Sequence, residues 1–258
     1  MDIASVGGIL IAIIGILGGL MIEGGSIAQI TQPTAMMIVL GGTMGAVMLQ
    51  FPLDIFLAAL KQFMRVFLSK GTNNEAVVAQ LVAFAVKARR GGILSLDSDL
   101  PTVEDPFLKQ TLMLAVDGTE PSAVRQIMKL ELDNTAEFEE RIPQVFESAG
   151  GFAPTVGIIG AVLGLIQVMQ HLDNINEVGR GIAIAFVATI YGVGLANLVF
   201  LPAAGKLRIR QQEEQMVKEM MLEGVISIQE GMNPRMIEIK LRTFLFAGKR
   251  VDAVEGSE

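Results

Sequence analysis

Hydrophobic and polar positions are segregated along this chain rather than mixed. Four stretches, 3–22, 34–53, 148–172 and 181–205, contain no Asp, Glu, Lys or Arg and are rich in Ile, Leu, Val, Met and Gly. Each reaches about the 20 residues that a helix needs to cross the hydrocarbon core of a bilayer, so each predicts a membrane span. Asp2, not a Lys or Arg, precedes the first, and no small-x-small cleavage pattern follows Met21, Ile22 and Glu23. That predicts a retained span, not a signal peptide. Outside the spans the pattern turns amphipathic. In 54–69, Ile55, Phe56, Leu60, Phe63 and Phe67 stand against Lys61 and Arg65, which predicts a helix at the membrane surface. Helices are expected over 74–90, with Asn73 or Asn74 as cap, over 106–116 and over 122–147, ended or bent by Gly118, Pro121 and Pro143. After the last span, 211–230 reads as a charged helix, Asn233 and Pro234 break it, and 235–246 forms a short final helix. There is no strand pattern and no repeat. The expected architecture is an all-α membrane protein with four transmembrane helices, a helical cytoplasmic domain between spans two and three, and a helical C-terminal tail. Its blocks are 1–53, 54–147, 148–205 and 206–258.

Charge placement orients this arrangement. Apart from Arg180, every Lys and Arg lies in 54–147 or from Lys206 onward. Basic segments stay on the cytoplasmic side, and Lys61, Arg65, Lys206, Arg208 and Arg210 lie close to span ends. Both termini are therefore expected in the cytoplasm. Composition agrees with a membrane protein: 51% of residues are apolar, and the mean hydropathy is +0.52. With no cysteine and one histidine, His171, disulfides, thiolate chemistry and a His-based metal site are not expected within the chain. A net charge of −7 argues against a nucleic-acid partner. No nucleophile–base pair, metal cluster or phosphate loop is visible, so neither an enzyme nor a bound cofactor or metal is expected.

The spans are more informative for what they lack. Asp, Glu, Lys, Arg and His inside a bilayer mark ion pathways, and these spans have none except His171 at one end. A proton carrier needs a titratable group within the membrane, so any proton path must borrow one from another chain. What the spans do carry is hydroxyls, at Thr155, Thr189 and Tyr191, and closely spaced small residues: Gly15 and Gly19, Gly41 and Gly45, Gly157 and Ala161, Gly160 and Gly164. Small-xxx-small spacing lets helix backbones approach closely, within one chain or between chains. A membrane threonine can also bond back to its own helix carbonyl four residues earlier. A proline near a helix start, such as Pro154, can simply occupy the first turn.

Two spans, a long cytoplasmic loop, two more spans and a helical tail resemble the MotA/PomA family, the A subunits of the bacterial flagellar stator. Three stretches carry the likeness. Residues 151–161, from Gly151 through Pro154, Gly157 and Gly160 to Ala161, resemble the family's third-span entry. Residues 188–197, with Thr189, Tyr191, Gly192, Gly194 and Asn197, resemble its fourth span, ending at Pro202. Arg89, Arg90, Gly91, Gly92 and Asp97 resemble its basic–Gly–Leu–acidic signature.

By resemblance, Pro154 and Pro202 would couple ion flow to movement. Thr189 would face the ion path, with Thr155, Ala161 and Tyr191 also lining it. Ala161 corresponds to a position where sodium-driven members place a threonine. A methyl offers no oxygen to a dehydrated cation, so the resemblance implies H+ as the transported ion. Arg89 and Asp97, with Arg90, would contact the rotor, although Asp97 is shorter than the family's usual Glu. Cations at a helix C-terminus also have a local role, because the helix dipole favours them by about 0.3–1 kcal/mol. The implied partners are a MotB-like single-span subunit with a membrane aspartate, a FliG-like rotor protein, membrane lipids, and further copies of this chain, five around two partner helices. The implied location is the bacterial inner membrane. Two alternatives remain open: an ExbB/TolQ-like energiser, a relative whose long loop usually follows the first of three spans, and a scaffold that only packs partner helices.

Overall fold

The computed structural model describes residues 3–68 and 74–246. Asn73 as a cap, Ser69 as the end of the amphipathic helix and the side chains of Arg65 and Phe67 lie outside the described residues. Regular structure among the described residues is entirely helical: α1 (Ile3–Ile22), the short α2 (Ile27–Ile30), α3 (Pro33–Gln50), α4 (Leu53–Leu68), α5 (Asn74–Gly91), a 3₁₀ segment (Ile93–Thr102), α6 (Pro106–Val116), α7 (Pro121–Gln170), α8 (Ile175–Leu195), a π turn (Ala196–Phe200), α9 (Leu201–Gln229) and α10 (Pro234–Phe246). Four helical stretches are long and apolar enough to cross a membrane. Local chemistry sets several starts. Asp105 accepts from the Leu108 N–H at 2.9 Å with Pro106 in the first turn of α6, and Asn233 accepts from the Arg235 N–H at 3.0 Å ahead of α10.

Two helices run on past the limits of their sequence blocks. Pro143 does not end its helix: α7 is one 50-residue helix holding both Pro143 and Pro154, so 122–147 and the third span are continuous. An interior proline forfeits one helical hydrogen bond. Here it sits within a packed stretch, buried together with Ile142, Val145 and Phe146. Likewise the fourth span does not end before 211–230. It passes through the π turn into α9.

The chain forms two compact units, one of Met1–Lys70 and Glu139–Ile209, the other of Gly71–Phe138 and Arg210–Glu258. The first holds the four span regions and α4. Its centre is a seam of small residues between α7 and α8. A Cβ on Gly192 would collide with the Ala153 carbonyl oxygen, one on Gly157 would lie 2.9 Å from the Ala188 carbonyl, and one on Gly164 2.8 Å from that of Gly181. Helix α3 closes one side with Ala35 and Val39 against Val187 and Ala188. Helix α1 buries no described residue. Helix α4 packs one face into this unit. Its Ile55 and Ala59 are buried with Val145, Phe146 and Ala149, and Phe63 stacks on Phe146 at 5.5 Å. Only its other face, with Leu57, Leu60 and Met64, stays exposed.

The second unit has a conventional core. Leu81, Leu96, Leu108, Leu112, Met128, Met220, Ile226, Ile237 and Leu241 are almost wholly buried. Three helices meet at Glu223. It accepts hydrogen bonds from Arg125 of α7 and from Lys240 of α10 at 2.8 Å, and Lys240 also reaches Ser227 at 3.1 Å. Burial alone would raise the Glu223 carboxyl, but the hydrogen bonds and charges of Arg125 and Lys240 outweigh it and hold the group below its ordinary value.

Candidate functional site

The span unit gathers several of the expected residues around one helix pair. Gly157 lies between Thr155 and Ala161 on α7, and its missing side chain lets the backbone of Thr189 on α8 approach: a Cβ there would be 3.5 Å from the Thr189 Cα. The Thr189 hydroxyl donates to the Ala185 carbonyl at 3.2 Å, and that of Thr155 to the Phe152 carbonyl at 2.8 Å. Each therefore keeps its oxygen lone pairs as its remaining polar offering. Thr155 is exposed, while Ala161 and Thr189 are half-buried. Beside them α7 and α8 expose apolar rows, Ile158, Val162 and Leu165 on one helix and Phe186, Ile190 and Val193 on the other. Such rows suit lipid or another helix.

Tyr191 is placed differently. Its hydroxyl donates to the Ile30 carbonyl at 2.5 Å and accepts the Gln32 N–H at 3.2 Å. The ring thus ties the segment between the first two spans to α8, and its polar atom is committed to that tie. The two contacts join positions about 160 apart in the chain, beyond the reach of pattern reading.

Pro154 and Pro202 belong to adjacent weak points. Pro154 leaves the Gly150 carbonyl without its helical N–H, and Pro202 does the same four residues after Leu198. Just before Pro202 the backbone widens into the π turn, where the Leu201 N–H reaches back to Ala196. Asn197 Nδ2 donates to the Val193 carbonyl at 2.9 Å. Across the helix pair, a Cβ on Gly150 would stand 2.6 Å from Leu201, so Gly150 lets the stretch before each proline meet the other. Pro202 also lines a cavity of about 250 Å³ with Ser5, Ile9, Leu198 and Lys206. Neither the π turn nor the role of Gly150 has a signal in residue spacing alone.

The charged residues lie in the other unit. Arg89 and Arg90 close α5, as the helix dipole favours, and Gly92 follows with φ of +77°, a turn glycine makes without strain. That turn lays the 3₁₀ segment back along α5. Leu96 enters the core, and Lys87 binds Asp99 at 2.7 Å and Ser98 at 2.9 Å. Lys87 and Asp99 are a pair that sequence reading missed. Arg89, Arg90 and Asp97 are exposed and form no ion pair among the described residues. The described residues also contain no cluster of three or more His, Cys, Asp or Glu able to hold a metal ion.

Comparison with known proteins covers the whole chain. Residues 99–220 match the MotA/TolQ/ExbB proton channel family, and residues 6–92 match the motility protein A N-terminal family. Motility protein A of Bacillus subtilis (strain 168) is 35% identical over 259 residues, spanning 100% of this chain and 96% of that protein. Among solved structures, that of C. jejuni MotAB superposes with a TM-score of 0.90 at 32% identity, covering 95% of this chain and 96% of that one. The flagellar MotAB stator complex from Bacillus subtilis gives 0.86 at 34% identity, covering 97% and 98%.

Proposed function

The chain belongs to the MotA/PomA family within the MotA/TolQ/ExbB proton channel proteins, and from that premise we propose how its residues work. It is the A subunit of the flagellar motor stator, a multi-pass inner-membrane protein that forms the proton channel with a MotB-like partner. The match over 6–92 covers the first two spans and the start of the long loop, which sets it apart from an ExbB-like energiser.

The observation that carries the mechanism is the empty ledger of acids in the spans. With no Asp, Glu, Lys or Arg in any of the four stretches, the carboxylate that loads and unloads the ion comes from the partner helix. Low dielectric favours the neutral form of such a carboxyl, so it takes a proton at one face and releases it at the other. Thr189 and Thr155 offer oxygens and Ala161 a methyl along that path. A methyl cannot replace the water of a sodium ion, so H+ is the ion carried. Each charge that crosses brings about 2.3 kcal/mol per 100 mV of membrane potential. Five copies surround two partner helices, and neutralising the partner's acid changes which arrangement of ring and partner is favoured. Pro154 and Pro202, at adjoining stretches with missing backbone bonds, give α7 and α9 the compliance to follow. Arg89, Arg90 and Asp97 then push the rotor through charges that engage and release quickly.

The test uses vesicles and cells. Co-reconstituted with its partner, the chain passes protons; alone it passes none, and a machine-like proton flux from the lone chain would end this reading. Motor speed follows the proton motive force at any external sodium. Dependence on sodium would remove the role given to Ala161.

A further inference from the structure

An exposed apolar side chain follows the charges that close α5, and the rotor contact of Arg89, Arg90 and Asp97 makes no use of it. Leu94 is 71% exposed, and no other large apolar side chain described in its unit is more so. A lone exposed leucine is ordinary on a protein surface, but this one is held in place. In a 3₁₀ helix side chains three apart eclipse one another, so the first two turns of the segment have an inward and an outward row, before Leu100 turns back onto the core. The inward row is Ile93, Leu96 and Asp99. Ile93 packs on the core and Leu96 is 1% exposed within it, while Asp99 is tied to Lys87. The outward row is Leu94 and Asp97, one above the other. Ser95 adds a hydrogen bond to the Gly92 carbonyl at 2.7 Å. Leu94 therefore stands out from an anchored frame, next to charges that lack ion partners among the described residues.

We propose that Leu94 is the apolar anchor of the rotor-facing surface, and this rests on the rotor contact assigned above to Arg89, Arg90 and Asp97. The fitting partner surface is a nonpolar pocket rimmed by an acid for the arginines and a base for Asp97. Division of labour is the physical reason. Exposed ion pairs steer and select but add little net affinity, because water and salt screen them. An apolar side chain leaving water supplies a short-range attraction that salt does not weaken. Charges would bring stator and rotor together, and Leu94 would hold the contact for the length of a step.

The experiment compares full stator complexes carrying Leu94→Ala, Leu94→Met or Arg89→Glu. It counts fluorescently tagged A subunits engaged at the motor, measures torque, and sizes the purified complex. Leu94→Ala is expected to weaken engagement about tenfold, with complex size and proton conduction unchanged, and Leu94→Met to restore most of it. Normal engagement of Leu94→Ala alongside a defective Arg89→Glu overturns the anchor and leaves the charged contact standing. Normal engagement of both removes the rotor contact along with the anchor. A purified Leu94→Ala complex that comes apart places Leu94 between copies of this chain and overturns the proposal.

Discussion

The two units of this chain are held together by opposite means. In the cytoplasmic unit, large side chains such as Leu81, Leu108, Met220 and Ile237 leave water, each contributing about 1.5–3 kcal/mol. In the span unit the central contact is made of what is missing. Gly157, Gly164, Gly181 and Gly192 let α7 and α8 meet at the backbone, because lipid gives no reason to hide a leucine and only close packing and polar contacts favour one helix over the solvent. One unit is filled and the other is fitted. That difference decides which substitutions each tolerates.

The largest expected effect comes from emptying the filled unit. Leu81→Ala leaves a cavity between α5 and α9, beside Gly224, and costs about 2–5 kcal/mol. Hydrogen exchange on the intact complex is expected to show protection lost across the cytoplasmic helices and kept in the spans. The converse substitution breaks the fitted unit. Gly192→Val drives a side chain into the Ala153 carbonyl, which no rotamer change relieves, and costs about 1–3 kcal/mol. The complex is expected to fall apart at a lower detergent or temperature threshold. A Gly192→Val complex as stable as wild type would erase the contrast between the units.

Polar ties sharpen the comparison at smaller scale. The folded Glu223 carboxyl is held below its ordinary value of 4.5 by Arg125 and Lys240, so its stabilisation is full above that value and fades as pH falls through the lower, folded one. Glu223→Gln is expected to cost about 1 kcal/mol near neutral pH. The gap from wild type then closes as the medium is acidified below about 4.5, as pH-dependent unfolding would report. In the span unit, Tyr191→Phe removes the hydroxyl shared by Ile30 and Gln32 and costs about 1 kcal/mol or less. Proton conduction is expected to be retained, with faster exchange at the Gln32 amide. Lost conduction with an unchanged amide would give Tyr191 a direct part in the ion path.

By itself the sequence determined the four spans, the absence of an acid within them, the side on which charge accumulates and the helical nature of the rest. These are one-dimensional properties: the length of an apolar run, the sign of a loop, the spacing of prolines and glycines. It also marked the glycines at 157, 160 and 164 as places for close approach, but could not say what would approach. Only the tertiary structure decided that α8 fills that space, that Gly15, Gly19, Gly41 and Gly45 face no other part of the described chain, and that Pro143 sits inside an unbroken helix. It also committed Tyr191 to a distant loop and turned the 3₁₀ segment so that Leu96 points in while Leu94 and Asp97 point out. The reason is that these outcomes depend on which surfaces meet. Pairings across more than a hundred residues are set by the sum of packing over whole helices, and no local pattern records that sum.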